Sequence, residues 1–134
     1  MLDKHGVWAV GQVLLIGKDW KTRALLRAQL LEEGVDVEAY ESLADALEAS
    51  IGVGQAPALL IADVGESVDP KVEIAQLAHW SRRIPIWIIA RRTVADESEF
   101  EGRRFEAVLF RPVDLGELVE RIKQRVRPSP RDAH

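Results

Sequence analysis

Four short runs of nearly unbroken apolar residues limit what this chain can become. They are Val13-Leu14-Leu15-Ile16, Ala58-Leu59-Leu60-Ile61-Ala62, Ile84 through Ala90, and Ala107-Val108-Leu109-Phe110. Each is shorter than an ordinary buried helix and lacks the polar alternation of a half-exposed strand. Strands read this way when both faces are covered, as in a parallel sheet flanked by helices. The second run is the one the chain is organised around. Gln55 and Pro57 bound it before, Val64-Gly65-Glu66-Ser67 follows, and it ends on one carboxylate, Asp63. Ligand and reaction sites in parallel sheets collect at the carboxyl ends of the strands. Asp63 therefore stands where any chemistry would occur.

The segments between these runs carry helical signals. Asp19 reads as the N-cap of a helix from Trp20 to about Glu33, closed by Gly34. Its apolar face is read as Ala24, Leu25, Ala28 and Leu31, with Leu26 and Leu30 alongside. Val35, Val37 and Ala39 alternate with Asp36, Glu38 and Tyr40, which predicts a fifth, half-exposed strand. Ser42 and Asp45 open a second helix with the inner face Leu43, Ala46 and Leu47. Gly52 to Gln55 is expected to form a flexible return. Asp69-Pro70 begins a third helix with Ile74, Leu77 and Ala78 inward and Trp80 off that stripe. Thr93 to Arg104, with only Val94, Ala95 and Phe100 to bury, is expected to form a short, loosely docked fourth helix. Asp114 caps the last helix, whose stripe is Leu115, Leu118, Val119, Ile122 and Val126.

Five strands alternating with five helices through short connections imply right-handed crossovers and one parallel sheet covered on both faces. The expected fold class is α/β, a flavodoxin-like three-layer (βα)5 arrangement with strand order 2-1-3-4-5. The domain is expected to span residues 13–127. A lead-in of residues 1–12, anchored by Trp8, precedes it, and a flexible tail of residues 128–134 follows Pro128-Ser129-Pro130.

Composition removes several function classes. The 134 residues include no cysteine, so thiol chemistry, disulfides and thiolate metal sites are absent. No run approaches the roughly 20 apolar residues of a membrane span, and the first residues lack the regions of a signal peptide. A cytoplasmic protein without membrane contact is expected. His5, His79 and His134 are scattered, which argues against a metal cluster or catalytic base. Gly17-Lys18-Asp19 lacks the spacing of a dinucleotide-binding loop. From Glu120 onward five basic residues face two acids, against 13 and 20 before that point. A basic helix end suits the helix dipole, so nucleic-acid contact by this domain is not expected.

The span from Val13 to Arg127 resembles the receiver domain of two-component response regulators. Val13-Leu14-Leu15-Ile16 leads into a loop where that family has an acidic pair. Arg23-Ala24-Leu25-Leu26-Arg27 through Glu33-Gly34 resembles its first helix, and Asp63 falls at the phosphoacceptor position. Arg111-Pro112 with Asp114-Leu115 and Leu118 resembles the Lys-Pro junction and the last helix. In the family, two acids and the acceptor aspartate hold Mg²⁺, while a Lys and a Thr or Ser bind the phosphoryl oxygens. Here the acidic pair is replaced by Gly17 and Lys18, with Asp19 one position later. The hydroxyl position falls on Ala90, the lysine position on Arg111 and the aromatic switch position on Val108. The resemblance implies a cis bond at Arg111-Pro112 and a weak homodimer, here using Asp96, Glu97 and Glu99 against Arg121 and Arg125.

A degenerate site follows from these departures. Asp63, Gly17, Lys18, Asp19, Ala90, Arg91, Arg111 and Pro112 are expected to line it, with no catalytic residue and no metal ligand set. Lys18 is expected to take the cation's place beside Asp63, and Mg²⁺ is not expected to bind well. Arg91 and Arg92 sit at the rim, either holding an anion or Asp63 or solvated. Trp87 is assigned to the core, while Trp20 and Trp80 are candidates for a contact surface. The leading expectation is an atypical, non-enzymatic receiver acting in two-component or phosphorelay signalling through protein contacts. Its partner would be a histidine kinase, a phosphotransfer protein or an output domain. Two alternatives stay open: a working phosphoacceptor at Asp63, and a flavodoxin-like small-ligand binder or enzyme.

Overall fold

The computed structural model describes residues 12–49 and 56–126. Trp8, the return at Gly52 to Gln55, and the Pro128-Ser129-Pro130 tail lie outside them, as do His5 and His134. Five strands, β1 (Val13–Gly17), β2 (Val37–Tyr40), β3 (Leu59–Asp63), β4 (Ile86–Ala90) and β5 (Ala107–Phe110), form one parallel sheet in the order 2-1-3-4-5. Among the described residues three α-helices lie between them, α1 (Trp20–Glu32), α2 (Leu43–Ala49) and α3 (Pro70–Trp80), and α4 (Leu115–Val126) follows β5. No helix among the described residues is long and apolar enough to cross a membrane.

Strand alternation divides the interior into two cores. Leu14, Ile16, Leu60, Ala62, Ile86, Ile88 and Ala90 pack on one face beneath α2 and α3, with Leu43, Ile74 and Leu77. Val13, Leu15, Leu59, Ile61, Trp87 and Ile89 pack on the other beneath α1 and α4, with Leu30, Leu118 and Ile122. The Val, Leu and Ile side chains among these each contribute about 1.5 to 3 kcal/mol on leaving water, and β1 and β4 are buried along their whole length.

The caps read from the sequence form. Asp19 accepts from the Thr22 amide at 3.4 Å and from its hydroxyl at 2.8 Å. Ser42 accepts from the Asp45 amide at 3.1 Å, Asp69 from Val72 at 3.4 Å and Asp114 from Glu117 at 2.9 Å. Gly34 takes φ of 77°, the left-handed conformation that ends a helix at little cost only for glycine. The Arg111-Pro112 bond is cis.

Two expectations are corrected. The inner face of α1 is Leu26 and Leu30; Ala24, Leu25, Ala28 and Leu31 are exposed. With seven apolar residues in 13, the pattern leaves the rotation of the helix open. The contacts of its first turn, Thr22 on Asp19 and Arg23 on the Gly17 carbonyl, agree with the observed rotation.

The expected fourth helix over Thr93 to Arg104 is a single 3-10 turn, Glu97–Glu99. Only Ala95 and Phe100 of this segment are buried, and their spacing gives no continuous helical stripe. Gly102 takes φ of 74°, outside helical geometry. Phe100 instead packs edge-on against Phe105 and Phe110, with ring centroids 6.1 and 6.0 Å away. Arg92 covers Phe110 from 4.1 Å. The four residues of β5 remain half-buried.

Trp87 lies in the core as expected, and its indole N–H donates to Glu106 at 2.7 Å. Arg125 closes on the same carboxylate at 2.7 and 2.8 Å. The Arg125 guanidinium, with the Trp87 indole adding to it, holds the Glu106 carboxyl below its ordinary range. Arg125 is thus engaged within the chain, as is Glu97 by Arg92 at 3.0 Å.

The rotation of α1 gives a direct test. Leu30→Ala is expected to cost about 2 to 5 kcal/mol, and Leu25→Ala less than about 0.5 kcal/mol, by urea denaturation. Equal losses would contradict the observed face.

Candidate functional site

The carboxyl edge of the sheet brings together the ends of β1, β3 and β4 and the turn after β5. Asp63 closes β3 beside Gly17 and Ile89 in register. One of its carboxylate oxygens, Oδ1, accepts from the Gly65 amide at 2.9 Å. The other, Oδ2, accepts from Arg111 Nη2 in a direct ion pair. The Asp63 side chain is 12% exposed and that of Arg111 24%, so water screens the pair poorly. Both oxygens of the carboxylate are therefore engaged.

Arg111, and not Lys18, supplies the counter-charge; the expected Lys18–Asp63 pair is absent. Strand parity gives the reason. Asp63 follows Ile61 by two residues and Arg111 follows Leu109 by two, and both of these precede them on the face covered by α1 and α4. Lys18 follows Ile16, which faces the opposite core. It is exposed and makes no ion pair among the described residues; its charge acts on Glu73 of α3.

The remaining expected residues take the following places. Gly17 is buried, and its carbonyl accepts from Arg23 Nη1. A Cβ on Gly17 would stand 3.3 Å from the Asp63 Cβ, so the close approach of β1 and β3 favours glycine. Asp19 caps α1, and the Thr22 hydroxyl, then the Thr22 amide, hold its carboxyl below the ordinary value. Ala90 is fully buried at the end of β4 and brings no hydroxyl to the site. Arg91 pairs with Glu66 at 2.7 Å and Arg92 with Glu97, so neither holds Asp63. Pro112 is exposed beyond Arg111.

Three contributors went unrecognised in the sequence. Arg23 fixes the end of β1. A Cβ on Gly65 would lie 3.1 Å from Asp63 Oδ1 and 3.2 Å from Arg91 Cγ, so only glycine fits without displacement. Its place two residues after the strand-end carboxylate was the available signal. Glu73 is half-buried, with the Ser67 hydroxyl 3.4 Å from its Oε2. Burial, as the larger cause, raises its pKa; Ser67 and Lys18 oppose this, and the Asp63 charge adds to it.

Mg²⁺ takes six oxygens in near-octahedral geometry. Asp63 gives its oxygens to Gly65 and Arg111, Gly17 has no side chain, and Asp19 is turned into its helix cap. No group of three His, Cys, Asp or Glu residues capable of holding a metal occurs among the described residues. The donors present do not fit the ion.

No protein-family model matches the chain, and no curated protein matches it. Solved structures do. A CheY-like response regulator receiver domain protein from Methanospirillum hungatei superposes with a TM-score of 0.70 at 16% identity, over 88% of this chain and 94% of that one. An orphan response regulator of H. pylori gives 0.67 at 19% identity, over 87% and 97%. A protein described as belonging to a family of redox sensors in the streptococci, evolved from two-component response regulators, gives 0.68 at 20% identity, over 87% of this chain and 51% of that one. The fold is that of the response regulator receiver domains.

Glu73 sets a pH dependence of stability. Its raised pKa means that the folded chain binds a proton more tightly than the unfolded chain, where the ordinary value is 4.5. Its contribution is therefore fully present below that value and is lost as pH rises through the folded pKa. Glu73→Gln is expected to raise the melting temperature at pH 7 and to leave it nearly unchanged at pH 4. A variant less stable at pH 7 would show that the charged form is held favourably.

Proposed function

From a chain with the receiver fold and an occupied strand-end carboxylate, we propose an atypical receiver that signals through protein contacts without Mg²⁺-dependent phosphorylation. The observation that carries this reading is the Arg111 guanidinium seated on Asp63 while the Gly65 amide takes the other oxygen. A phosphoryl acceptor needs a carboxylate oxygen free for in-line attack and a cation to offset the arriving charge. Here the cation is a fixed guanidinium already bound to the oxygen that would react. Asp63 in this reading serves as an anchor that ties the turn after β5 to the centre of the sheet.

The proposed partner is a histidine kinase, a phosphotransfer protein or an output domain, and the domain carries no catalytic chemistry of its own. Exposed apolar residues near the carboxyl edge support a contact surface there. Trp20 at the start of α1 is 63% exposed, and Val68 just before α3 and Val72 in its first turn are 88% and 51% exposed. Aromatic residues in such positions supply much of the binding energy of protein interfaces.

Incubation with acetyl phosphate and Mg²⁺, followed by intact mass measurement, is expected to show no phosphoryl gain. A gain lost in Asp63→Asn would overturn the proposal and establish Asp63 as a working acceptor. Calorimetric titration with Mg²⁺ is expected to give no measurable heat for the parent or for Lys18→Asp, because Arg111 still occupies Asp63. Binding is expected to emerge only when Arg111→Lys is combined with Gly17→Asp and Lys18→Asp. Arg111→Ala is expected to destabilise the fold by on the order of 1 to 3 kcal/mol, the cost of a poorly solvated carboxylate that loses a charged partner.

A further inference from the structure

α1 is apolar on two opposite sides, and the core of the domain uses only one of them. Leu26 and Leu30 are buried against the sheet. Trp20, Ala24, Leu25, Ala28 and Leu31 all face solvent, with Leu25 49% and Leu31 44% exposed. At 3.6 residues per turn these five fall within roughly 140° of arc, opposite the buried pair. Single exposed apolar residues are ordinary on a protein surface, but a stripe along the whole length of a helix marks a face that another surface covers. α4 shows the contrast. Its outward residues include Glu117, Glu120, Arg121, Gln124 and Arg125, as suits a face turned to water.

The charges along the stripe indicate what covers it. Lys21, Leu25, Ala28 and Glu32 follow one another at spacings of four, three and four residues, those of a coiled-coil seam. All four are exposed. Lys21 lies over the Trp20 ring, 5.9 Å from its centroid. Neither Lys21 nor Glu32 has an ion-pair partner among the described residues. Arg23 and Arg27 also precede Glu32 and Glu33, so the helix is basic first and acidic last. A seam with opposite charges at its two ends and apolar residues between them is complementary to itself when turned end for end. With a two-fold axis midway between Leu25 and Ala28, Leu25 of each copy meets Ala28 of the other, large against small. Lys21 of each copy then stands beside Glu32 of the other. The helix dipoles also run in opposite directions, whereas parallel pairing would bring like charges together.

We propose that the outward face of α1 is the contact through which two copies of this chain associate, antiparallel about a two-fold axis. A 13-residue helix is about 20 Å long. Its contact falls short of the roughly 800 Å² per partner of a standard interface, so the dimer is weak, with a Kd on the order of 100 μM. This seam takes the place of Asp96, Glu97 and Glu99 against Arg121 and Arg125 as the dimer contact. It goes beyond the signalling role proposed above and rests on no property of Asp63.

The test is sedimentation equilibrium of the full chain at low salt, where a reversible monomer–dimer equilibrium is expected. Leu25→Glu, at an exposed position, is expected to weaken association at least about tenfold in a chain whose circular dichroism is unchanged. Lys21→Glu and Glu32→Lys are each expected to weaken it about three- to tenfold. Both changes suit the helix dipole, so neither threatens the fold. An equimolar mixture of these two single variants is expected to recover the parental association, because every seam charge again meets its opposite. The double variant Lys21→Glu/Glu32→Lys is expected to recover it alone, which parallel helices would not allow. A parent that stays monomeric well above the expected Kd, as when the face serves a different protein, would overturn the proposal. So would undiminished association of Leu25→Glu, no recovery in the mixture or the double variant, or loss on Arg121→Glu while the α1 variants still associate. Mass measurement with acetyl phosphate reads a different event, so failure here leaves the signalling proposal standing.

Discussion

Two-sided burial of the central strands is the constraint on which the rest of this molecule depends. β1, β3 and β4 can exclude water only if helices cover both faces, and parallel pairing supplies those helices as crossovers. Alternate side chains are then committed to opposite cores, with no freedom to exchange. This commitment extends to the residues just beyond the strand ends. It sends Asp63 and Arg111 out on one face and Lys18 toward the other.

The pair that results ties distant parts of the chain together. It joins residues 48 positions apart and spans β4, linking the centre of the sheet to the turn that leads into α4. Its neighbourhood is shaped to keep it. Gly17 and Gly65 allow close backbone approach to Asp63, while Arg91 is drawn off by Glu66 and Arg23 by the Gly17 carbonyl. Two neighbouring cations, Arg91 and Arg23, are thus held elsewhere.

The segment between β4 and β5 shows how little helix a receiver-like sheet needs on that side. Ala95 and Phe100 bury themselves, the Phe100–Phe105–Phe110 group closes the corner, and Arg92 lies over Phe110. These contacts replace a packed helix at the cost of leaving β5 half-exposed along its length. The sheet thereby keeps the order 2-1-3-4-5 with a 3-10 turn in place of the expected fourth helix.

The sequence by itself determined the strands, their order and the caps of the helices, because these follow from local spacing and from few allowed connections. It also placed Asp63 at a strand end, while the cis bond before Pro112 was implied only by the family resemblance. It left open the rotation of α1, where apolar residues surround the helix, and overstated Thr93 to Arg104, where a weak pattern lacked a stripe to bury. Only the tertiary structure decided which cation reaches Asp63. The place of Lys18 in the loop after β1, where the resemblance puts the cation site, favoured it, whereas Arg111 had to reach from beyond β4. The period of two along Ile61–Asp63 and Leu109–Arg111 carried that information, but it acquires meaning only once the strands are side by side. Charges meet through space, and it is the sheet that sets the distance between them.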